Sequence, residues 1–254
     1  MTLARITRQA TALLARSYDS LSRPLHPAVA ELIGRNVPAV DGPWLEPFNG
    51  QRARQDMFRS LVSAVRPVAL FESGSYRGAS TRFLWQVSGR PVYTAEKNPS
   101  FARYVAREFR HVPDIKVLNR DSRDALRILH GGAHIPPSEP FLCYLDAHWN
   151  ADLPLREEVA FILQKWPLSV IVIDDFKVPD DHDYGFDAYG RTELTVDYLG
   201  SSTLGASHVL WPSCPGREET GYRRGCVVLA SPKVAATVSD LPELRRIPGL
   251  TVTG

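Results

Sequence analysis

Cysteine is scarce in this chain: three in 254 residues, at Cys143, Cys214 and Cys226. None forms a C-x-x-C pair, which argues against a structural zinc site. Cys143 and Cys226 stand inside apolar runs and read as buried, reduced core residues. No apolar run is long enough to span a bilayer, and no obvious secretory segment is present. These absences set the expectation of a cytoplasmic protein without a membrane span. Net charge is small, +2 at pH 7, so it argues neither for nor against a polyanionic partner; a nucleic-acid partner is not expected. Internal repeats and low-complexity tracts are also missing. What is present is ordinary globular composition, 44% hydrophobic and 23% charged, with enough length for a sizeable core.

Acidic residues are missing before Asp19. In Met1 to Arg16, Leu3, Ile6, Ala10, Leu13 and Leu14 recur at helical spacing among Arg5, Arg8 and Arg16. This reads as an amphipathic helix packed on the domain or on a second copy of the chain, a possible homo-oligomer contact. A membrane-surface or targeting helix is the alternative. Prolines at 24, 27, 38, 43 and 47 suggest short helices and loops up to about residue 50. The expected organisation is an N-terminal helical segment over 1–60 and one domain over 61–254.

Beyond residue 50, two periods alternate. Gln51 to Val65, Ser80 to Val87, Ser100 to Phe109, Arg123 to Leu129 and Pro154 to Trp166 read as helices. Val68 to Phe71, Val92 to Ala95, Ile115 to Leu118, Phe141 to Leu145 and Val170 to Ile173 read as strands. Alternation of this kind predicts a mostly parallel α/β sheet, doubly wound, with helices on both faces. Val209 to Trp211 and Cys226 to Leu229 flank a turn-rich segment and predict an antiparallel pair closing the sheet edge.

The strand ends carry the chemistry. Phe141 to Leu145 runs into Asp146-Ala147-His148-Trp149, and Val170 to Ile173 runs into Asp174-Asp175. Parallel strands deliver such side chains to the carboxyl edge, where ligands bind. Asp146, Asp174 and Asp175 are the candidate ligands of one hard cation. Close together without a cation, three carboxylates repel. The bland alternative is two solvated strand ends with helix-capping aspartates.

Upstream, Glu72-Ser73-Gly74-Ser75-Tyr76-Arg77-Gly78 follows the first strand and precedes a helix that starts near Ser80 and Thr81. Glycine there lets backbone approach a ligand, and the helix start can hold a carboxylate. Glu96 ends the second strand, where a carboxylate can accept ribose hydroxyls. A nucleoside ligand follows. The spacing is not G-x-G-x-x-G, which disfavours a dinucleotide oxidoreductase.

On Glu72, Gly74 and Gly78 the chain resembles the class I S-adenosylmethionine-dependent methyltransferases, with their Rossmann-like fold. On Asp146, His148-Trp149 and Asp174-Asp175 it resembles the metal-dependent O-methyltransferases, the catechol type and the bacterial sugar and macrolide enzymes. The similarity runs from about Gln51 to Lys177. It implies S-adenosylmethionine as cofactor, a divalent metal (magnesium first), and a small hydroxylated acceptor. The implied cofactor set is Glu72, Gly74, Ser75, Tyr76, Gly78, Ser80, Glu96, Asp121, Ser122, Asp146, His148 and Trp149, with Asp121 or Ser122 at the adenine. The implied metal set is Asp146, Asp174 and Asp175. Two departures stand out: the catechol-type enzymes carry a lysine directly after His-Trp, where this chain has Asn150, and Ala147 separates Asp146 from His148. The base then falls to His148, since imidazole titrates near neutrality, or to Lys177. The alternative for His148 is a wall of the adenine pocket, beside Trp149.

After Asp175, the segment Pro179 to Gly190 is acidic and aromatic, and suits a lid over the acceptor. Tyr184, Phe186 and Tyr189 are its candidate stacking groups; packing back on the sheet is the alternative. A metal-independent methyltransferase and a non-catalytic nucleoside-binding module are the rival functions.

Overall fold

The computed structural model describes residues 46–148, 152–200 and 205–248. The expected N-terminal amphipathic helix and the candidate Trp149, with Asn150, lie outside the described residues.

Five parallel strands form the heart of the sheet: β1 (Ala69–Ser73), β2 (Val92–Ala95), β3 (Ile115–Leu118), β4 (Phe141–Leu145) and β5 (Ser169–Asp174). The crossovers run through α1 (Arg52–Val65), leading into β1, then α2 (Ala79–Ser88), α3 (Pro99–Glu108), α4 (Ser122–Gly131) and α5 (Leu155–Lys165). The sequence-predicted elements fall within about two residues of these bounds. The last part of the chain adds a small ribbon, β6 (Ala188–Tyr189) with β7 (Thr192–Glu193), a short α6 (Val196–Leu199), β8 (His208–Pro212), β9 (Cys226–Ala230), α7 (Ala235–Val238) and β10 (Leu244–Arg245). Sheet order is β10-β8-β9-β5-β4-β1-β2-β3. The expected antiparallel pair is β8 with β9, but it is not a simple edge hairpin. β9 slots between β5 and β8, antiparallel to both, and β10 forms the rim. Among the described residues, no helix is long and apolar enough to cross a membrane.

β4 and β5 are buried at every position because helices cover both faces. Alternate side chains feed two cores. Phe71, Phe141, Cys143, Ile171 and Ile173 pack with Leu126, Val159, Ile162 and Trp166 on one face. Leu70, Leu142, Tyr144, Val170 and Val172 pack with Met57, Phe58, Leu61 and Leu84 on the other. Trp166 is fully buried, and its indole N–H donates to the Ile135 carbonyl at 3.0 Å, so the ring carries no polar debt.

Strand order reverses between β1 and β4, and that switch point opens a crevice at the carboxyl edge. Register aligns the edge. Ser73 lies beside both Ala95 and Leu145, and Leu145 lies beside Ile173. The residues that follow, Gly74, Glu96, Asp146 and Asp174, therefore share one rim.

Candidate functional site

Gly74 sits at φ +85°, and its N–H donates to the Ala95 carbonyl at 2.9 Å. A Cβ there would lie 2.6 Å from the Asp146 carbonyl oxygen. The close approach that requires glycine is thus to the chain itself, where β1 and β4 end against each other. Gly78, at φ +80°, stands at the start of α2. Ser80, read as a cofactor contact, meets the Phe48 backbone N–H at 3.4 Å.

Glu72 is fully buried in β1. One oxygen accepts from the Thr81 and Thr94 hydroxyls, the latter at 2.7 Å, and the other has no partner among the described residues. Burial pushes its carboxyl up to about 7, against the two hydroxyls, which favour the charged form. Glu96 uses both oxygens on the turn itself, accepting from Tyr76 N–H at 3.0 Å and Asn98 N–H at 2.8 Å. Tyr76 itself stands at φ +45°. Ser75 is buried with a hydroxyl that has no partner among the described residues.

The raised Glu72 carboxyl sets a pH dependence. Its folded value, about 7, exceeds the ordinary 4.5. The folded state then holds more protons between those values, so stability falls as pH rises through the interval. The ligand-free protein is expected to lose up to about 3 kcal/mol between pH 5 and 8, at roughly 1.4 kcal/mol per unit. Glu72→Gln should flatten that part of the Tm-versus-pH curve. A wild-type curve already flat across the window would refute the assignment.

Asp121, read as an adenine contact, caps α4 by accepting from Arg123 N–H at 3.0 Å. The Arg123 side chain, with help from Lys97, holds its carboxyl well below the usual range. Lys97 and Arg123 also reach Asp152, each at 3.0 Å, forming a charged lip beside the crevice. Ser122 is buried at the first position of α4.

The carboxylates divide. Asp174 is fully buried, ion-paired with Arg54 of α1, and accepts from the Tyr144 hydroxyl at 2.6 Å. It does not join the cluster that forms beside it. Asp146, His148 and Asp175 do: one donor atom from each lies within 4.8 Å of the others. His148 Nε2 stands 3.8 Å from Asp146 Oδ1 and 3.7 Å from Asp175 Oδ2. His148 is 2% exposed, and neither ring nitrogen has a hydrogen-bond partner among the described residues. Asp175, at φ +52°, turns its side chain away from the path of Asp174. Burial pushes the Asp175 carboxyl up, but His148 and Arg224 outweigh burial and hold it at about 2. Burial and then the charges of Asp174, Asp175, Glu72 and Asp187 push Asp146 well above the usual carboxylate range.

Lys177, the second candidate base, is ion-paired with Glu193 of β7 at 2.8 Å and lies over the Phe186 ring. Tyr184 is buried, its hydroxyl on the Cys214 carbonyl at 3.0 Å, so it packs back on the body of the fold. Tyr189 of β6 reaches the crevice, its hydroxyl against the His148 carbonyl and the Asp187 carboxylate. Three groups were missed in the sequence: Arg54, Glu158 and Arg224. Glu158, on α5, is buried beside Ser73 and Ser122 within electrostatic reach of His148, and burial raises its carboxyl. Arg54 and Glu158 had a signal. Each is a charge on an apolar helical stripe, Arg54 with Met57, Phe58 and Leu61, and Glu158 with Leu155, Val159 and Ile162.

Solved structures share this fold. A proposed methyltransferase from Thermobifida fusca superposes over 71% of this chain and 79% of its own, with a TM-score of 0.51 and 13% identity. The chain has a class I methyltransferase fold. Two further similar structures are the SAH-bound methyltransferase PaMTH1 of Podospora anserina (14% identity, 70% and 77% covered, TM-score 0.49) and the O-methyltransferase TomG of Streptomyces achromogenes with SAM (16%, 70% and 79%, 0.46). No family model and no curated protein matches the chain. Within the methyltransferase fold, the switch-point crevice is where Glu72, Gly74, Glu96, Asp146 and His148 gather.

Proposed function

We propose that this chain is an S-adenosylmethionine-dependent O-methyltransferase that acts on a hydroxyl of a small molecule with help from a divalent cation. One observation carries the reading. The Gly74–Glu96 crevice and the Asp146–His148–Asp175 cluster meet at the same switch point.

The residues fit both groups. Glu96 sits at the β2 end, where a ribose diol would find an acceptor. Polar atoms of Glu72, Ser75 and His148, near these strand ends, are buried with no hydrogen-bond partner among the described residues, and buried polar groups ordinarily find partners. Asp146 and Asp175 bring negative charge that a cation would balance. A bound cation lowers the pKa of an acceptor hydroxyl and fixes its oxygen. S-adenosylmethionine, when bound, would supply the methyl group, its S–CH3 bond breaking as the O–CH3 bond forms and the hydroxyl proton passes to water. Lys177 is ion-paired with Glu193, and His148 and Asp146 belong to the cation cluster, so the hydroxyl proton would pass to water at the exposed edge of Asp146.

Calorimetric titration with S-adenosylmethionine, with magnesium or manganese and then with a chelator, tests the proposal. Glu96→Ala is expected to weaken cofactor binding at least about tenfold, the loss of roughly 1.4 kcal/mol. Asp146→Asn is expected to abolish the metal signal. Cofactor binding with no metal signal would leave a metal-independent methyltransferase, and binding without turnover on any acceptor a nucleoside-binding module. Absence of cofactor binding would sink the methyltransferase reading.

A further inference from the structure

We infer that His148 Nε2, Asp146 Oδ1 and Asp175 Oδ2 form a mixed nitrogen–oxygen site for a first-row transition ion, with manganese, iron(II), cobalt and zinc preferred over magnesium. This deepens the proposed function by naming the metal class of the same site.

The argument starts from what each donor atom is free to do. Asp146 has its other oxygen, Oδ2, near the Tyr144 hydroxyl at 3.3 Å. Asp175 has its other oxygen, Oδ1, on the Arg224 guanidinium. Arg224 is itself anchored, its side chain on Asp187 and its backbone N–H and carbonyl on the Gln51 amide at 2.9 and 2.8 Å. Asp175 is thus oriented by one oxygen and offers the other, and Asp146 offers Oδ1 while the Tyr144 hydroxyl beside its Oδ2 gives its hydrogen to Asp174. Outer-shell bonds of this kind hold metal ligands in place.

The imidazole completes the set. A buried ring nitrogen without a partner is costly. The gaps of 3.7 and 3.8 Å to the two carboxylate oxygens exceed hydrogen-bond reach. Donors about 2.1 Å from a shared ion stand roughly 3.0–3.4 Å apart, so the three groups would draw together by a few tenths of an ångström around an ion. Asp174, the third oxygen ligand expected from the sequence, is occupied by Arg54 and Tyr144. Imidazole therefore replaces a carboxylate in the donor set, and nitrogen donors favour first-row transition ions where all-oxygen sets suit magnesium. Asp146 is 27% exposed, so one side of the cluster opens to the crevice and leaves coordination positions for an acceptor oxygen.

The test uses the untagged full chain, stripped of metal, without S-adenosylmethionine. Manganese, cobalt and magnesium are titrated singly by calorimetry, and the manganese complex is examined by pulsed electron paramagnetic resonance for nitrogen coupling. The expected result is one ion per chain, manganese and cobalt at least about tenfold tighter than magnesium, and a single imidazole nitrogen coupled to manganese. His148→Asp is expected to keep an ion but lose the nitrogen coupling and the tenfold preference. Manganese bound without nitrogen coupling, equal affinity for magnesium, or no bound ion would each overturn the inference. The wild-type spectrum decides even if the variant does not fold. Nitrogen coupling together with no cofactor binding would uphold the metal site and remove the methyltransferase reading, so the two fail separately.

Discussion

Arg54→Met is expected to cost about 3–5 kcal/mol of folding stability, the range seen when one partner of a buried ion pair is removed. Arg54 and Asp174 are both buried, at 3% and 0% exposure. The guanidinium pairs with Asp174 and donates to the Arg224 carbonyl, so one side chain ties α1 to the end of β5 and to the residues that lead into β9. Methionine of similar length would fill the space and strand a carboxylate with only the Tyr144 hydroxyl beside it. The cost is the unpaired charge rather than lost packing. Arg54→Met combined with Asp174→Asn should therefore recover much of the loss, because the stranded charge is gone. Denaturant midpoints of the wild type and the three variants give the coupling directly. A single Arg54→Met change of under about 1 kcal/mol would refute a buried charged pair at this position.

That pair also explains what the sequence could and could not reveal about the site. The strands and helices were legible because each period is unmixed: β4 and β5 are apolar throughout, and the helices carry apolar stripes. The row of strand ends was legible too, since parallel strands in register present their following residues at one edge. The roles of Asp174 and Asp175 were not. They are adjacent and identical, and their separation depends on side-chain direction: Asp174 continues the pleat of β5 toward Arg54, while positive φ turns Asp175 toward His148. Their partners come from far away in sequence, Arg54 120 residues from Asp174 and Arg224 49 residues from Asp175. No local pattern reports such pairings. Lys177 was drawn into the candidate site by proximity in sequence, and the two-residue strand carrying Glu193 was too short to foresee.

Gly74→Ala is expected to lower metal affinity at the proposed Asp146–His148–Asp175 site by about a hundredfold or more while the chain stays folded, a scale set by the cost of misplacing site groups by about 1 Å. Two effects add. Alanine at φ +85° is strained by about 1–2 kcal/mol. Its Cβ would also stand 2.6 Å from the Asp146 carbonyl oxygen and 3.3 Å from the Ala147 Cα, both backbone atoms with no flexible end to swing aside. The β4 terminus must then move, and it carries Asp146 and His148, two of the three cluster donors. Gly89→Ala separates the effects. Gly89 has φ +57° with nothing within 4 Å of a built Cβ, so the substitution imposes strain without displacement. It is expected to cost about 1 kcal/mol and leave metal binding unchanged. Thermal unfolding and manganese titration of both variants distinguish the two contributions. Equal metal affinity in Gly74→Ala and wild type would mean that contact with Gly74 does not fix the β4 terminus. If both variants instead lost affinity alike, general destabilisation would account for it, and the 2.6 Å approach would have no special part in holding the cluster together.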